Sequence, residues 1–210
     1  MTRLIIWRHG RTGWNFEGRF QGQTDVELDE LGREQAATAA RLLAGTHPDA
    51  IVTSDLRRAA DTAAALGALT GLPVHPDPRL RERHFGRWQG MSGTEVAQAF
   101  PEAYAAWRRG VPSPGCGIEN VDDAAKRVAA GVTDAVTRAE GGTVVVTTHG
   151  GSAKYAMGEL LGWSRPVTAR VIGLDNCHWT ELRSYPDQGW LLVAHNVGPH
   201  VADREPLAPE

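Results

Sequence analysis

The segment Thr143–Gly151 reads TVVVTTHGG. Its first six residues are all β-branched, the pattern of a strand covered on both faces, as in a parallel sheet. Gly150 and Gly151 then turn the chain into a helix ending near Gly162. Arg3–Arg8 (RLIIWR) is a similar short apolar run, and it too is followed at once by a His-Gly pair, His9-Gly10. Ala50–Thr53 reads as a third short strand. Residues 10–27, with Gly10, Gly13 and Gly18, read as a loop. Asp29 is placed to cap a helix running to about Ala44, with Leu31, Ala39, Leu42 and Leu43 on its inner side. Ser54 and Asp55 suit the cap of another helix, continuing to about Leu69. Residues 72–120, punctuated by prolines, predict one or two short helices near 92–109 and a loop over 110–120. Val121, Ala125, Val128, Val132 and Val136 recur every three or four positions and predict an amphipathic helix. Segments near 168–175, 177–184 and 189–196 read as strands. Strands alternating with helices predict an α/β fold with a largely parallel sheet. Ligands bind outside the carboxyl ends of such strands, and His9, His149 and Arg58 all fall there.

The 210 residues suit one domain, taken as 1–198, with 84–120 covering the site and 199–210 as a polar, flexible tail. A formal net charge of −3 shows no basic excess, which argues against a nucleic-acid partner. The apolar runs are too short to span a membrane, and no secretory leader pattern is visible, so a cytoplasmic location is expected. Cys116 and Cys177 are far apart and read as small buried side chains rather than a disulfide or zinc pair.

Four pieces carry chemistry. Arg8-His9-Gly10 places an imidazole at a strand end, beside a guanidinium whose planar fork suits phosphate oxygens. Gly10 is expected to let the backbone pass close to a ligand. Ser54–Ala59 (SDLRRA) brings a second guanidinium, Arg58, to a helix start, which itself favours anions; Arg57 reads as a solvated surface charge. Leu80–Gly90 (LRERHFGRWQG) surrounds one acid, Glu82, with bases. Thr147–Gly151 repeats the strand–His–Gly logic at His149, with backbone N–H groups at Gly150 and Gly151 expected to face an anion. Together they describe a phosphate pocket of two arginines and two histidines with one glutamate. His47 and His75 each stand beside a proline in loops, His178, His195 and His200 show no metal-ligand spacing, and His84 lies near the presumed site with no role assigned beyond orienting its loop.

The ordered set RHGRTGWN (8–15), GRFQGQTDVEL (18–28), TSDLRRAADTA (53–63), LRERHFGRWQG (80–90) and TTHGG (147–151) resembles the histidine phosphatase superfamily, which includes the cofactor-dependent phosphoglycerate mutases. The resemblance covers about residues 3–175. It implies a three-layer fold of the phosphoglycerate mutase type, with helices on both faces of the sheet. It implies that His9 is the nucleophile that becomes phosphorylated, that Arg8, Arg58 and His149 hold the phosphoryl oxygens, and that Glu82 gives and takes the proton. Asn15, Gln21, Gly22 and Gly150 match positions that line the phosphate site. No metal and no other cofactor is implied, because the cationic groups neutralise the phosphate charge. The partner implied is a small phosphorylated metabolite, and a homodimer is compatible with the family.

The same core serves a mutase, which returns the phosphoryl group to its substrate, and a phosphatase, which gives it to water. The chain departs from the mutase pattern. The first motif continues Arg11-Thr12 where mutases usually have Glu-Ser, and Gly151 and Lys154 stand where they usually carry Asn and Arg. The 67 positions from Glu82 to His149 are also fewer than the mutase insertion requires. Trp107-Arg108-Arg109 would point the other way, being similar to an arginine pair that mutases use on substrate and cofactor, but the pair is read here as two solvated helix charges. The reading adopted is a metal-independent phosphatase acting on small monoesters. The alternatives are a mutase or a non-catalytic binding module of the same fold. Arg11, Arg19, Arg83, Arg108 and Arg109 are candidates to attract a carboxylate or second phosphate on the substrate.

Overall fold

The β-branched run lies at the centre of the sheet. In a computed structural model, which describes residues 1–111 and 115–199, β4 (Thr143–Thr148) pairs in parallel with β1 (Arg3–Arg8) on one side and β2 (Ala50–Thr53) on the other. A three-residue strand, β3 (Val74–Pro76), adds in parallel to β2. Beyond β1, β5 (Trp179–Tyr185) runs antiparallel to it and β6 (Gly189–Val197) antiparallel to β5. The order is β3-β2-β4-β1-β5-β6, so only β5 runs against the rest.

Alternation along the strands separates two cores. Leu4 and Ile6 of β1, with Val144 and Val146 of β4, face α6 (Val121–Val136) and α7 (Gly150–Leu160). Ile5 and Trp7, with Val145, face α2 (Glu30–Ala44) and α3 (Arg57–Thr70). Every one of these strand residues is fully buried, as expected of a sheet sandwiched between helical layers. The fold is the expected three-layer α/β arrangement. A third, aromatic cluster lies apart. There Trp88, Val96, Ala103 and Cys116 pack with Phe20, Phe85, Tyr104 and Trp107, built on α4 (Gly93–Ala99) and α5 (Pro101–Arg108). Both cysteines are buried and free.

Several expectations are corrected. The segment 168–175 is not a strand. It follows the short α8 (Arg165–Thr168), and its carbonyls at Ile172 and Leu174 receive side-chain donors from His195 and Arg8 instead of a ladder. The strand β3 stood hidden in the proline-punctuated stretch, and His75 belongs to it rather than to a loop. Its flanking prolines are tolerated because it is a sheet edge. Residues 10–27 contain one helical turn, α1 (Gly13–Phe16), closed by reciprocal bonds between Thr12 and Asn15. On α2 the inner face is Gly32, Ala36, Ala39, Ala40 and Leu43, and Leu42 is 51% exposed. Neither Ser54 nor Asp55 caps α3, whose N-cap is Leu56 without a side-chain bond. Asp55 is instead clamped by Arg81 through two bonds of 2.7 and 2.6 Å. Residues 200–210 of the expected tail, His200 among them, and 112–114 of the expected loop lie outside the described residues.

Gly10 is needed for a different contact from the one its sequence context suggests. A Cβ there would stand 2.3 Å from the carbonyl oxygen of Gly32, so the constraint is the approach of the loop to the start of α2, not to a ligand. Backbone cannot yield as a flexible side chain can. Gly10→Ala is therefore expected to lower unfolding free energy by about 1–3 kcal/mol in urea denaturation, with the sheet retained.

Candidate functional site

The register of β1 on β4 builds the site. Arg8 is opposite Thr148, so the next residue of each strand, His9 and His149, emerges side by side at the carboxyl edge. Their rings lie 5.1 Å apart at 62°. Both are buried, at 3% and 1% exposure. The His9 Nδ1–H donates to the Gly10 carbonyl at 2.7 Å, which leaves the lone pair on Nε2. That nitrogen faces the Nε–H of Arg58 at 3.3 Å. Burial, then the charges of Arg58 and Arg8, hold His9 well below the ordinary imidazole value.

His149 is the N-cap of α7. Its Nε2 lies 2.9 Å from the Ser54 hydroxyl; with that hydroxyl donating, the ring carries its proton on Nδ1. That Nδ1 is buried and has no partner. Burial, then Arg58, His9 and Arg8, push its pKa well down. Arg58, 1% exposed, is fixed by bonds to the carbonyls of Thr24 and Gly22 at 2.9 and 2.8 Å. Burial lowers its pKa to about 10, and it remains a cation at neutral pH. Arg8 reaches the Leu174 carbonyl with one terminal nitrogen, while its Nε is buried and unpartnered. Gln21 likewise buries an Oε1 without a partner. The Oδ1 of Asn15 accepts from the Thr12 N–H and hydroxyl, so its NH₂ is the end left for a ligand. Gly22 and Gly150 line the same cleft.

Glu82 sits across the cleft at the start of α7. Its carboxylate accepts from the backbone N–H groups of Gly151 and Ser152, each at 3.0 Å, and from the Ser152 hydroxyl at 3.1 Å. The N–H of Gly151, expected to face an anionic ligand, is thus taken by Glu82. A Cβ at 151 would lie 2.8 Å from Glu82 Oε1, so a side chain there would press on the carboxylate. Among the described residues, no group of three or more His, Cys, Asp or Glu is placed to hold a metal.

The cleft has a volume of about 1320 Å³, far more than a phosphate occupies. The aromatic cluster contributes Phe20, Phe85, Tyr104 and Trp107 to its wall. The candidate arginines divide. Arg11 pairs with Asp29, Arg19 with Glu17 and Glu95, and Arg83 donates to the Glu119 carbonyl. Arg108 and Arg109 are exposed at the cleft with no acid paired to them among the described residues. Away from the site, Arg57 is an exposed charge near Glu27, and His84 accepts from the Gly86 N–H within its own loop.

Sequence reasoning missed Ser54, Ser152 and Asn176. Ser54 and Ser152 sit inside recognised motifs but look like ordinary helix-start polar residues. Asn176 donates to the His9 carbonyl at 3.0 Å from a loop that carries no local signal.

Residues 4–198 match the family model of the histidine phosphatase superfamily, branch 1. The chain is 40% identical to the glucosyl-3-phosphoglycerate phosphatase of Mycolicibacterium vanbaalenii, over 97% of this chain and 98% of that one. It is 40% identical to a metal-independent phosphoserine phosphatase of Arabidopsis thaliana, over 72% of this chain and 65% of that protein. The structure of a mycobacterial glucosyl-3-phosphoglycerate phosphatase in complex with VO3 superposes with a TM-score of 0.84 at 39% identity, covering 93% of this chain and 99% of that one.

The two buried imidazoles couple stability to pH. Below about 6.5 they take up protons in the unfolded chain but not in the native one. The unfolded state then binds more protons, and stability falls as pH falls through that value, by up to about 1.4 kcal/mol per pH unit for each ring. Urea unfolding between pH 7 and 5.5 should show this slope, and the His9→Asn/His149→Asn variant should flatten it.

Proposed function

The chain belongs to the histidine phosphatase superfamily, and on that premise we propose that it hydrolyses small phosphate monoesters through a phosphohistidine on Nε2 of His9, without a metal ion. The observation that carries this reading is the fixed state of His9. It is a neutral imidazole at a strand end, with Nδ1–H tied to Gly10 and its lone pair directed beside the buried cation of Arg58.

In the first step His9 Nε2 attacks phosphorus, the N–P bond forms, and the P–O bond to the alcohol breaks. Glu82 gives its proton to the departing alkoxide. In the second step the Glu82 carboxylate takes a proton from water, the water oxygen bonds to phosphorus, the N–P bond breaks, and inorganic phosphate leaves. Arg8 Nε and His149 Nδ1 are buried donors without partners, and an oxyanion would satisfy both. The Arg58 Nε–H, now on the His9 lone pair, would turn to a phosphoryl oxygen as that lone pair enters the N–P bond. Fixed donors of this kind typically contribute about 10²–10³ each in rate. Asn15, Gln21, Gly22 and Gly150 line the phosphate end.

Hydrolysis, not mutase transfer, is the reaction. The absence of a side chain at Gly151 leaves Glu82 free to sit at the helix start, where it can serve water. The aromatic wall of Phe20, Phe85, Tyr104 and Trp107 covers the site. Arg108 and Arg109 at the cleft, its size, and the similarity to glucosyl-3-phosphoglycerate phosphatases favour an alkyl monoester carrying a carboxylate and a sugar-sized polar group.

Two measurements test the reading. Phosphate release should survive exhaustive chelation; loss restored by added Mg²⁺ or Zn²⁺ would refute the metal-free mechanism. In single turnover, Glu82→Gln should slow cleavage of an alkyl ester far more than of p-nitrophenyl phosphate, whose leaving group needs no proton. Equal loss with both esters would remove Glu82 from the donor role.

A further inference from the structure

Glu82 lies in an irregular stretch, and something outside the stretch must set where its carboxylate points. Among the described residues, the carboxylate itself bonds to its own neighbour Arg83 and to the first turn of α7. The backbone beneath it is held by Gln23, which donates to the Glu82 carbonyl at 3.1 Å, by the Ser152 hydroxyl on the Arg81 carbonyl at 2.9 Å, and by one side chain of α6 that reaches three of its carbonyls. Arg127 donates from one terminal nitrogen to the carbonyls of Arg79 and Arg81, at 2.7 and 2.9 Å. Its other terminal nitrogen reaches the carbonyl of Glu82 at 3.4 Å. The remaining donors grip Glu119 through Nε and Nη2, at 2.9 and 2.8 Å. Glu119 closes the far end of the aromatic segment, and its second carboxylate oxygen also accepts the His84 N–H at 3.0 Å. One guanidinium thus spends its fork on three carbonyls of the acid-bearing loop and on the carboxylate that ends the cover. Lysine, a point charge on a flexible stem, cannot span that set. Burial works against charge on Glu119, but the bonds from Arg127 and the His84 N–H outweigh it and hold its carboxyl below the usual range.

We propose that Arg127 is the positioning residue for the proton donor, tying the backbone of the Glu82 loop to Glu119 so that the carboxylate is held where it meets the leaving oxygen. It rests on Glu82 being the leaving-group acid. Arg127 touches neither substrate nor the reacting atoms; it acts through the backbone of residues 79–82.

The test is a double-mutant cycle in single turnover, with an alkyl phosphate and with p-nitrophenyl phosphate. Misplacing a group by about 1 Å costs on the order of 10²-fold, so Arg127→Met should slow alkyl cleavage by between about tenfold and a hundredfold. It should change aryl cleavage far less, and the KM for either ester little. Glu82→Gln/Arg127→Met should be no slower on the alkyl ester than Glu82→Gln alone, because the two act as one unit. Glu119→Gln, which keeps the shape of the pair and spares the fold if Arg127→Met does not accumulate, should show the same selectivity in smaller measure. Equal losses on both esters, or additive losses in the double variant, would overturn the proposal. If Glu82→Gln alone shows no alkyl–aryl contrast, the donor role fails and the proposal with it. A contrast in Glu82→Gln that is missing from both Arg127→Met and Glu119→Gln removes Arg127 alone.

Discussion

Two imidazoles and two guanidiniums share one buried corner, and they can do so only while both rings are neutral. The parallel pairing of β1 with β4 forces His9 and His149 together at the strand ends, and Arg58 enters between them and the loop carbonyls of Gly22 and Thr24. A third or fourth positive charge there would face both desolvation and like-charge repulsion. In the proposed mechanism that neutrality suits His9 to attack phosphorus, and the tie from Nδ1 to Gly10 leaves Nε2 as the attacking nitrogen. The same corner leaves Arg8 Nε and His149 Nδ1 without partners. Unsatisfied buried donors cost roughly 1–3 kcal/mol each, a debt carried by the surrounding core and relieved when an oxyanion arrives.

The proposed acid is organised separately from the proposed nucleophile. His9 grows from the sheet, whereas Glu82 hangs from a loop held between the start of α7 and the face of α6. A side chain at 151 would press on that carboxylate and make its flexible end shift. The aromatic cluster forms a third core attached to this loop rather than to the sheet. Its members Phe20, Phe85, Tyr104 and Trp107 shape the cleft wall beyond the phosphate end.

The sequence made the central sheet legible because its strands are short apolar runs bounded by glycine or polar residues. β1, β2 and β4 appear where RLIIWR, AIVT and TVVVTT stand. α6 followed from a clean three-to-four spacing. β3 was hidden because an edge strand of three residues between prolines has no run to read. The segment 168–175 misled because Val171, Ile172 and Leu174 look like a strand, yet only Leu174 enters the core and Ile172 is 51% exposed. At the site, the residues on strand and helix ends were readable from motif and context. Ser54, Asn176 and Arg127 were not, because each acts through contacts 95, 167 and 45–48 positions away that only the tertiary arrangement creates.

The central claim is that the phosphoryl group passes through Nε2 of His9. It is tested most directly by rapid quenching of the EDTA-treated enzyme with a ³²P-labelled monoester, followed by mapping of the labelled peptide. The account predicts an acid-labile, base-stable label on the peptide containing His9, formed within one turnover and absent from a folded His9→Ala variant. Label on another residue, or normal turnover by His9→Ala, would contradict it.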